Sequence, residues 1–513
     1  MSATAGTLAG MLESVADRVP EAVALIDDSG SLTFAQLQRR VSATAGTLNE
    51  RIDPNETVAV VGANHRIWVE LYYGAPAAGR TLVFLNHRLH ARELRSMLER
   101  SNARLLIGDP NELDRLRDIN VDLPMFGWSE WSHVVDDAED QPELATVDPT
   151  TSAWLLFTSG TTAAPKGAVL THSGILAAVA ASSGARPVDA DDVYVFPFPL
   201  CHVAGYNVIH RHSHGRPVVL MSGFVAEEFC DIVEREQVTS TSLAATMLAT
   251  LVELIEAEPA RLAQLRSLRS LAYGAAPMPT PLLRRADSLL GVEFAQGYGM
   301  TELSGNAVFL NAAAHRRGLE GESGILEAAG EPAPGVELRL VDDDDNDVAE
   351  GKVGEILVRA AQVMKGYLND QEATDDALRG GWLHTGDMGR LVGGLLYVVD
   401  RKKDIIITGG ENVSSLEVEI AVLEHPSVAR VAVVGVPDST WGENVCAVVV
   451  SASGEVVDPK ELVVFVRTKL AGFKVPRHVV VVDELPVTAS GKVVKAQLRK
   501  RLGENPELIG HRL

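Results

Sequence analysis

The chain has 513 residues, 46% of them hydrophobic, so it can bury large cores, and at about 100–200 residues per domain it holds several structural units. Its formal charge of −23 argues against a nucleic-acid partner or an anionic membrane surface, both of which attract Lys and Arg rather than surplus carboxylates. The three cysteines, Cys201, Cys230 and Cys446, show no paired metal-ligand spacing, which implies neither a zinc site nor a disulfide framework and suits a reducing cytoplasm.

Residues 1–10 lack a basic region leading into a long apolar core, and no run approaches the roughly 18 apolar residues of a membrane span, so neither secretion nor integral membrane association is expected. Ser31 to Leu48 opens with Ser-Leu-Thr-Phe and carries apolar residues at helical spacing. Thr57 to Val61 and Thr81 to Asn86 are β-rich runs separated by the helical His65 to Ala78, and Leu105 to Gly108 continues the series. This rhythm predicts βαβ units around a parallel sheet. An acidic connector, Asp136 to Thr150, leads through the apolar Trp154 to Phe157 into Thr158-Ser159-Gly160-Thr161-Thr162-Ala163-Ala164-Pro165-Lys166-Gly167. That composition suits a phosphate cradle: backbone N–H groups line a turn, Thr158, Ser159, Thr161 and Thr162 supply hydroxyls, Gly160 permits unusual angles and Lys166 neutralises charge. It is not a Walker loop, because Gly167 stands where Ser or Thr would follow the lysine.

The loop resembles the phosphate-binding signature of the adenylate-forming superfamily, which includes acyl-CoA synthetases, adenylation domains of peptide synthetases and luciferases. Ala163 stands where that pattern has glycine; if the position needs a positive φ, alanine strains it by about 1–2 kcal/mol. Further motifs follow in the family's order. After Ala168 to Thr171, a returning strand, and a helix over His172 to Ala180, Val193 to Phe196 leads into a proline-rich turn, Pro197 to Gly205. The resemblance makes His202 and Tyr206 candidates for lining an acyl pocket, although a hydrogen-bonded core histidine fits His202 as well. The segment His210 to Arg216 departs from the family's apolar helix. Its simpler reading is a solvated helix end and turn, its sharper one a polar end to the substrate pocket.

Ser270 to Tyr273 runs into Gly274-Ala275-Ala276-Pro277, a turn without bulk that the family packs along adenine. Val292 to Ala295 runs into Gln296-Gly297-Tyr298-Gly299-Met300-Thr301-Glu302, which resembles the second nucleotide motif. By that resemblance Tyr298 stacks on adenine, Thr301 donates to the α-phosphate and Glu302 helps to hold Mg²⁺, while Gly274, Gly299 and Ser304 border the acyl group. Val336 to Val358 reads as a hairpin with an acidic turn, Asp342 to Asn346. In Gly381 to Asp387, Asp387 corresponds to the residue that grips the ribose hydroxyls. Leu395 to Val399 is a strand, with Val399 beside the nucleotide, and Asp400-Arg401-Lys402-Lys403-Asp404 resembles the family hinge, with Asp400 the pivot and Arg401 a nucleotide contact. Gly409, Gly410 and Glu411 match the segment that closes the pantetheine tunnel of coenzyme A. Helical Ser415 to Leu423, strands Val431 to Val436 and Cys446 to Ser451, and helical Pro459 to Leu470 complete a compact lid. Pro486 to Lys495 resembles the C-terminal catalytic loop, with Lys492 at the catalytic position.

The expected fold is therefore α/β: a large N-terminal adenylation domain, 1–399, of βαβ layers with a small β-barrel-like part, and a small mobile α+β C-terminal domain, 400–513. The resemblance implies an ATP-dependent acyl-CoA synthetase that uses Mg²⁺ and coenzyme A on a medium- or long-chain fatty acid. Aryl, dicarboxylic or steroid-derived acids, and a CoA-independent ligase that loads a carrier protein, are the alternatives. A homodimer is compatible with this reading.

Overall fold

The computed structural model describes residues 6–54, 56–137, 146–158, 165–274, 276, 278–438, 441–488, 492–505 and 508. The chain forms two compact units, one from 1–338 and 358–383, the other from 339–357 and 384–513.

In the first unit, the βαβ rhythm produces two sheets. The seven-stranded sheet runs Gly366–Tyr367, Lys166–Thr171, Ser152–Thr158, Thr81–Leu85, Thr57–Val61, Ala103–Gly108, Met125–Gly127. Its inner strands are parallel and nearly fully buried, as Val58 to Val61 and Leu82 to Leu85 require of their unbroken apolar runs. The nine-stranded sheet holds Ser240–Leu243, Ser270–Gly274 and Glu293–Met300 as parallel neighbours, then turns back through the antiparallel Gly305–Leu310. The His172–Ala185 helix, five residues longer than expected, packs on Gly305–Leu310 of one sheet and Lys166–Thr171 of the other, and so joins them.

Several elements differ from the sequence reading. The helix expected from Ser31 starts at Phe34: Gly30–Thr33 is a strand, and Thr33 caps the Phe34–Arg51 helix by accepting from the Gln36 amide. The strand expected to stop at Ala295 continues through the glycine motif to Met300, because Gly297 and Gly299 have no side chains to keep Gly305 and Asn306 of the next strand away.

In the second unit, the β-barrel-like part is an open sheet of four strands, Glu337–Val341, Gly354–Arg359, Leu383–Val392 and Leu395–Arg401. Its two edge strands do not pair with each other among the described residues, so no barrel closes. Glu411–Val413, Ile406–Thr408, Gly442–Ser451, Val428–Asp438 and His478–Val481 make a second sheet, covered on both faces. Alternation decides which side chain goes where: Val433, Val445 and Ala447 meet Val418, Val422 and Leu462, whereas Ala432, Val434 and Cys446 meet Leu498 and Leu502 of the Lys495–Glu504 helix. No helix among the described residues is long and apolar enough to cross a membrane.

Candidate active site

The neck of the phosphate loop is fixed by strand pairing. Thr158 ends one strand, Lys166 begins the next, and the two face each other in antiparallel register. Ser159, Gly160, Thr161, Thr162 and Ala163 lie outside the described residues. Glu302 reaches the neck from the other sheet, in a short turn, Thr301–Leu303, directly after the Glu293–Met300 strand. Its carboxylate is 6% exposed, accepts a hydrogen bond from the Tyr367 hydroxyl at 3.0 Å and lies 3.4 Å from the Thr158 Oγ1. Tyr367 comes from Gly366–Tyr367, which pairs beside Ala168 and Val169, and its ring centroid lies 5.1 Å from the Lys166 Nζ. Burial, and then the charge of Glu302, push the Tyr367 phenol well above its ordinary value, so it stays a proton donor.

One carboxylate, one ammonium and two hydroxyls thus meet where the loop begins and ends. Among the described residues no three His, Cys, Asp or Glu side chains gather as a metal cage. A single carboxylate suits magnesium that arrives on nucleotide phosphates, since Mg²⁺ takes one or two protein carboxylates and completes its shell from phosphate and water. The Lys166 ammonium is the cation at this neck, a group that can pair with phosphate oxygens.

The segments expected to face the nucleotide are built from glycines. A Cβ on Gly274 would lie 2.5 Å from the Gly297 carbonyl oxygen, so the Ser270–Gly274 and Glu293–Met300 strands close up without side chains. Gln296 and Tyr298 lie opposite Leu310 and Val308 of the antiparallel neighbour, Met300 opposite Gly305. Ala276 is exposed; Ala275 and Pro277 lie outside the described residues. On the acyl side, His202 is half-buried in the turn before Val203–Gly205. Tyr206 is 1% exposed, accepts from the Ser182 hydroxyl at 3.1 Å and lays its ring where a Cβ on Gly305 would come to 3.1 Å. Ser304 is fully buried at φ +53° and donates to the Gln362 carbonyl at 2.8 Å. Tyr206 and Ser304 are therefore held in place by neighbouring side chains and backbone.

The segment expected to be a solvated helix end is buried instead: His210, Arg211 and His212 are 0%, 3% and 0% exposed. The Tyr206–Ser213 helix packs against Leu8–Arg18, His172–Ala185 and Val218–Leu220, which leaves it no wet face. Arg211 pairs with Asp192 at 2.8 Å, and His212 joins the Ala24 carbonyl and the Tyr73 hydroxyl, each at 2.9 Å, whereas the His210 Nε2 has no hydrogen-bond partner among the described residues. Burial lowers His212 to about 4, so it is neutral.

In the second unit, Asp387 lies opposite Arg401 in strand register, with 3.6 Å between carboxylate and guanidinium. Asp400 is buried, and its Oδ2 accepts from both the N–H and the Oγ of Ser415 at 2.6 Å, at the first turn of the Ser415–Leu423 helix that Ser414 caps. Val399 offers its carbonyl to the Ser414 hydroxyl at 2.7 Å. Lys495 extends this group, donating to Ser415 Oγ at 2.6 Å and pairing with Glu419 at 2.8 Å. Gly409 and Gly410 have φ of +61° and +83°; a Cβ on Gly409 would strike the Trp441 ring at 2.6 Å, whereas Gly410 and the exposed Glu411 face open space. Lys492 is exposed, in a small hairpin closed by Thr488 N–H donating to its carbonyl at 2.7 Å and by its own N–H donating to Thr488 Oγ1 at 3.1 Å.

Sequence reasoning missed Tyr367, Gln362 and Lys495. Tyr367 and Gln362 lie far along the chain from the motifs that they hold, and Lys495 differs from its neighbouring lysines only by its burial.

A two-sheet unit with a charged loop neck, and a small α+β unit in which a buried aspartate holds the start of a helix and a lysine lies on an exposed loop, define an adenylate-forming enzyme. Comparison with known proteins agrees. The AMP-binding enzyme family matches residues 12–368 and the AMP-binding enzyme C-terminal domain matches 417–492, and this chain belongs to that family. It is 37% identical over 489 residues to a feruloyl-CoA synthase of Amycolatopsis sp., covering 94% of this chain and 96% of that one. It is 32% identical over 501 residues to the fatty acid–[acyl-carrier-protein] ligase ScoC of Streptomyces coeruleorubidus, covering 95% and 94%. The solved o-succinylbenzoate CoA synthetase (MenE) of Bacillus subtilis, in complex with its acyl-adenylate, superposes with a TM-score of 0.85 at 30% identity, over 95% of this chain and 97% of that one. The chain is thus an acid–thiol ligase of the AMP-forming kind, a class that works with ATP, Mg²⁺ and coenzyme A.

Proposed function

We propose that this enzyme activates an aromatic or arylalkyl carboxylic acid with ATP and transfers the acyl group to coenzyme A. The observation that carries the reading is the meeting of Glu302, Thr158, Lys166 and Tyr367 at the loop neck. In the first half-reaction the acid's carboxylate attacks the α-phosphate and pyrophosphate leaves. Lys166, Thr301 and the lid residue Lys492 offset the charge that builds on the phosphate, and Glu302 holds the magnesium that enters with the nucleotide. Tyr298 stacks on the adenine, Asp387 accepts from the ribose hydroxyls, and Arg401 adds a charge beside the nucleotide.

In the second half-reaction the small unit turns about Asp400, takes Lys492 away and brings in Gly409, Gly410 and Glu411. The thiol then attacks the acyl carbon and AMP departs. No enzyme nucleophile is needed, because AMP is a sufficient leaving group. The aromatic reading is supported by the feruloyl and o-succinylbenzoate relatives.

A second reading, a medium- or long-chain fatty acid passed to coenzyme A or to a carrier protein, is favoured by the ScoC relative. Pyrophosphate release across a panel of aromatic and alkyl acids, followed by mass detection of the thioester formed with free coenzyme A, separates the two. Product with no acid of either kind would refute both. A reducing cytoplasm suits the three buried thiols, raised by burial to about 12, 11 and 12 at Cys201, Cys230 and Cys446.

A further inference from the structure

Asn64 follows the Thr57–Val61 strand of the seven-stranded sheet, yet its side-chain amide reaches segments that follow strands of the nine-stranded one. Its Nδ2 donates to the Phe198 carbonyl at 2.7 Å and to the Met221 carbonyl at 2.8 Å, and its Oδ1 accepts from the Leu200 N–H at 2.7 Å. Phe198 comes two residues after the Tyr194–Phe196 strand, and Met221 directly after Val218–Leu220. Two carbonyls on one side and an N–H on the other decide which way the amide faces, and both of its N–H donors are used. The loop that bears Asn64 is itself fixed by Trp68, whose Nε1 donates to the Ala63 carbonyl at 3.1 Å.

A second tether holds the same turn. The buried Tyr72 hydroxyl donates to the Leu200 carbonyl, so both backbone polar groups of Leu200 are tied to side chains of one short stretch, 64–72. Tyr72 belongs to the Arg66–Ala77 helix and is stacked on Phe84, with 5.2 Å between ring centroids, and packed against Trp154 at 4.7 Å. A Cβ on Gly205 would run into the Tyr72 hydroxyl, so glycine there lets the far end of the turn close on it. Burial raises the Tyr72 phenol well above its ordinary value, which keeps it a proton donor.

These tethers lie on the rim where such sheets take their ligands. In an open parallel sheet the crevice lies outside the carboxyl ends of the strands. Val61 and Thr158 close parallel strands of one sheet at that end, and Phe196 and Leu220 close parallel strands of the other. Asn64 therefore stands two strands along from the Thr158 neck, about 10 Å at the usual strand spacing. An acid whose carboxylate is activated at the neck is left the rim between the neck and the turn over Phe198 to Cys201 for its acyl group, and that turn runs directly into His202.

Resting on the reading of this chain as a carboxylate-activating enzyme, we propose that Asn64 is a positioning residue for the acyl substrate. It sets the turn over Phe198 to Cys201, and with it His202, at the distance from the seven-stranded sheet that the acyl group needs. Tyr72 acts with it through the Leu200 carbonyl. Both side chains bond to this turn rather than to the loop neck, so the acid and MgATP are expected to respond differently when either bond is removed.

The test measures the KM for the carboxylic acid and the KM for MgATP by ATP–pyrophosphate exchange, using the full-length enzyme and the best acid of an aromatic and alkyl panel, in wild type, N64D and Y72F. N64D keeps the shape but turns a carboxylate oxygen toward two carbonyls; it is expected to raise the KM for the acid by about tenfold or more, for the loss of two hydrogen bonds, with the KM for MgATP within about twofold of wild type. Y72F keeps the ring stack and is expected to show the same selectivity at about three- to tenfold. N64D raising both KM values alike would overturn the proposal while leaving carboxylate activation intact. So would lowered thermal stability with wild-type kinetics, which would make Asn64 a structural residue alone. Where N64D does not fold, Y72F decides by the same criterion. Exchange with no acid added would instead remove the underlying reading.

Discussion

The Tyr367 hydroxyl donates to the Glu302 carboxylate at 3.0 Å, joining a residue at the edge of one sheet to a residue at the end of a strand in the other. The same ring lies against the Lys166 ammonium, so one side chain sets both charges of the phosphate site. The Met364 N–H, three residues earlier, donates to the Glu302 backbone carbonyl at 2.8 Å and fixes that turn from the other side.

Glu302→Gln keeps the shape and an acceptor for Tyr367 but removes the charge offered to magnesium. Pyrophosphate exchange should fall by roughly a hundred- to thousandfold, about 2.7–4 kcal/mol, with little change in thermal stability. Tyr367→Phe should act more mildly, raising the KM for MgATP by about tenfold or more for the loss of one hydrogen bond to a charged group. Wild-type kinetics in both variants would remove the neck from the mechanism.

Lys492→Ala should lose a similar hundred- to thousandfold in adenylation, yet convert supplied acyl-adenylate to thioester at close to the normal rate. Single-turnover assays of the two steps make the comparison, and equal losses in both would contradict a lid that takes turns.

Gly410→Leu should show the opposite split. No atom lies within 4 Å of a Cβ there, so the fold bears only the strain of a side chain at φ +83°, about 1–2 kcal/mol. Thioester formation should drop while pyrophosphate exchange persists. Gly409 is the poorer target, because its Cβ would collide with Trp441 and disturb the unit itself.

Acid should destabilise the first unit. His172, His212 and His315 are buried and held to about 4, against an ordinary value of 6.5, and burial is the leading cause at each. Between pH 6.5 and 4 the unfolded chain binds protons that the folded chain refuses, so their stabilising contribution is present above 6.5 and is lost on acidification. The difference of about 2.5 pH units corresponds to about 3 kcal/mol for each histidine. Urea midpoints measured from pH 7 to 4.5 should fall steeply, less so in His212→Gln; a flat profile would show that these rings titrate freely.

The sequence by itself determined the strands and the local motifs. Thr57–Val61 and Ser152–Thr158 are readable because a buried parallel strand needs an unbroken apolar run, and Gly274, Gly297 and Gly409 because close backbone approach admits nothing larger. Lys166 stands out as a cation among glycines and hydroxyls, whereas Glu302 and Lys492 are picked out by the resemblance of their motifs to the family's. Tertiary structure alone decided what depends on neighbours distant in the chain. It gave Tyr367 its two partners, continued the glycine motif as a strand, and buried His210, Arg211 and His212, whose polar character read as solvated. The reason is physical: apolar periodicity and backbone freedom are written locally, whereas desolvation and charge balance belong to the whole packed interior, where the buried Arg211 finds Asp192 at 2.8 Å.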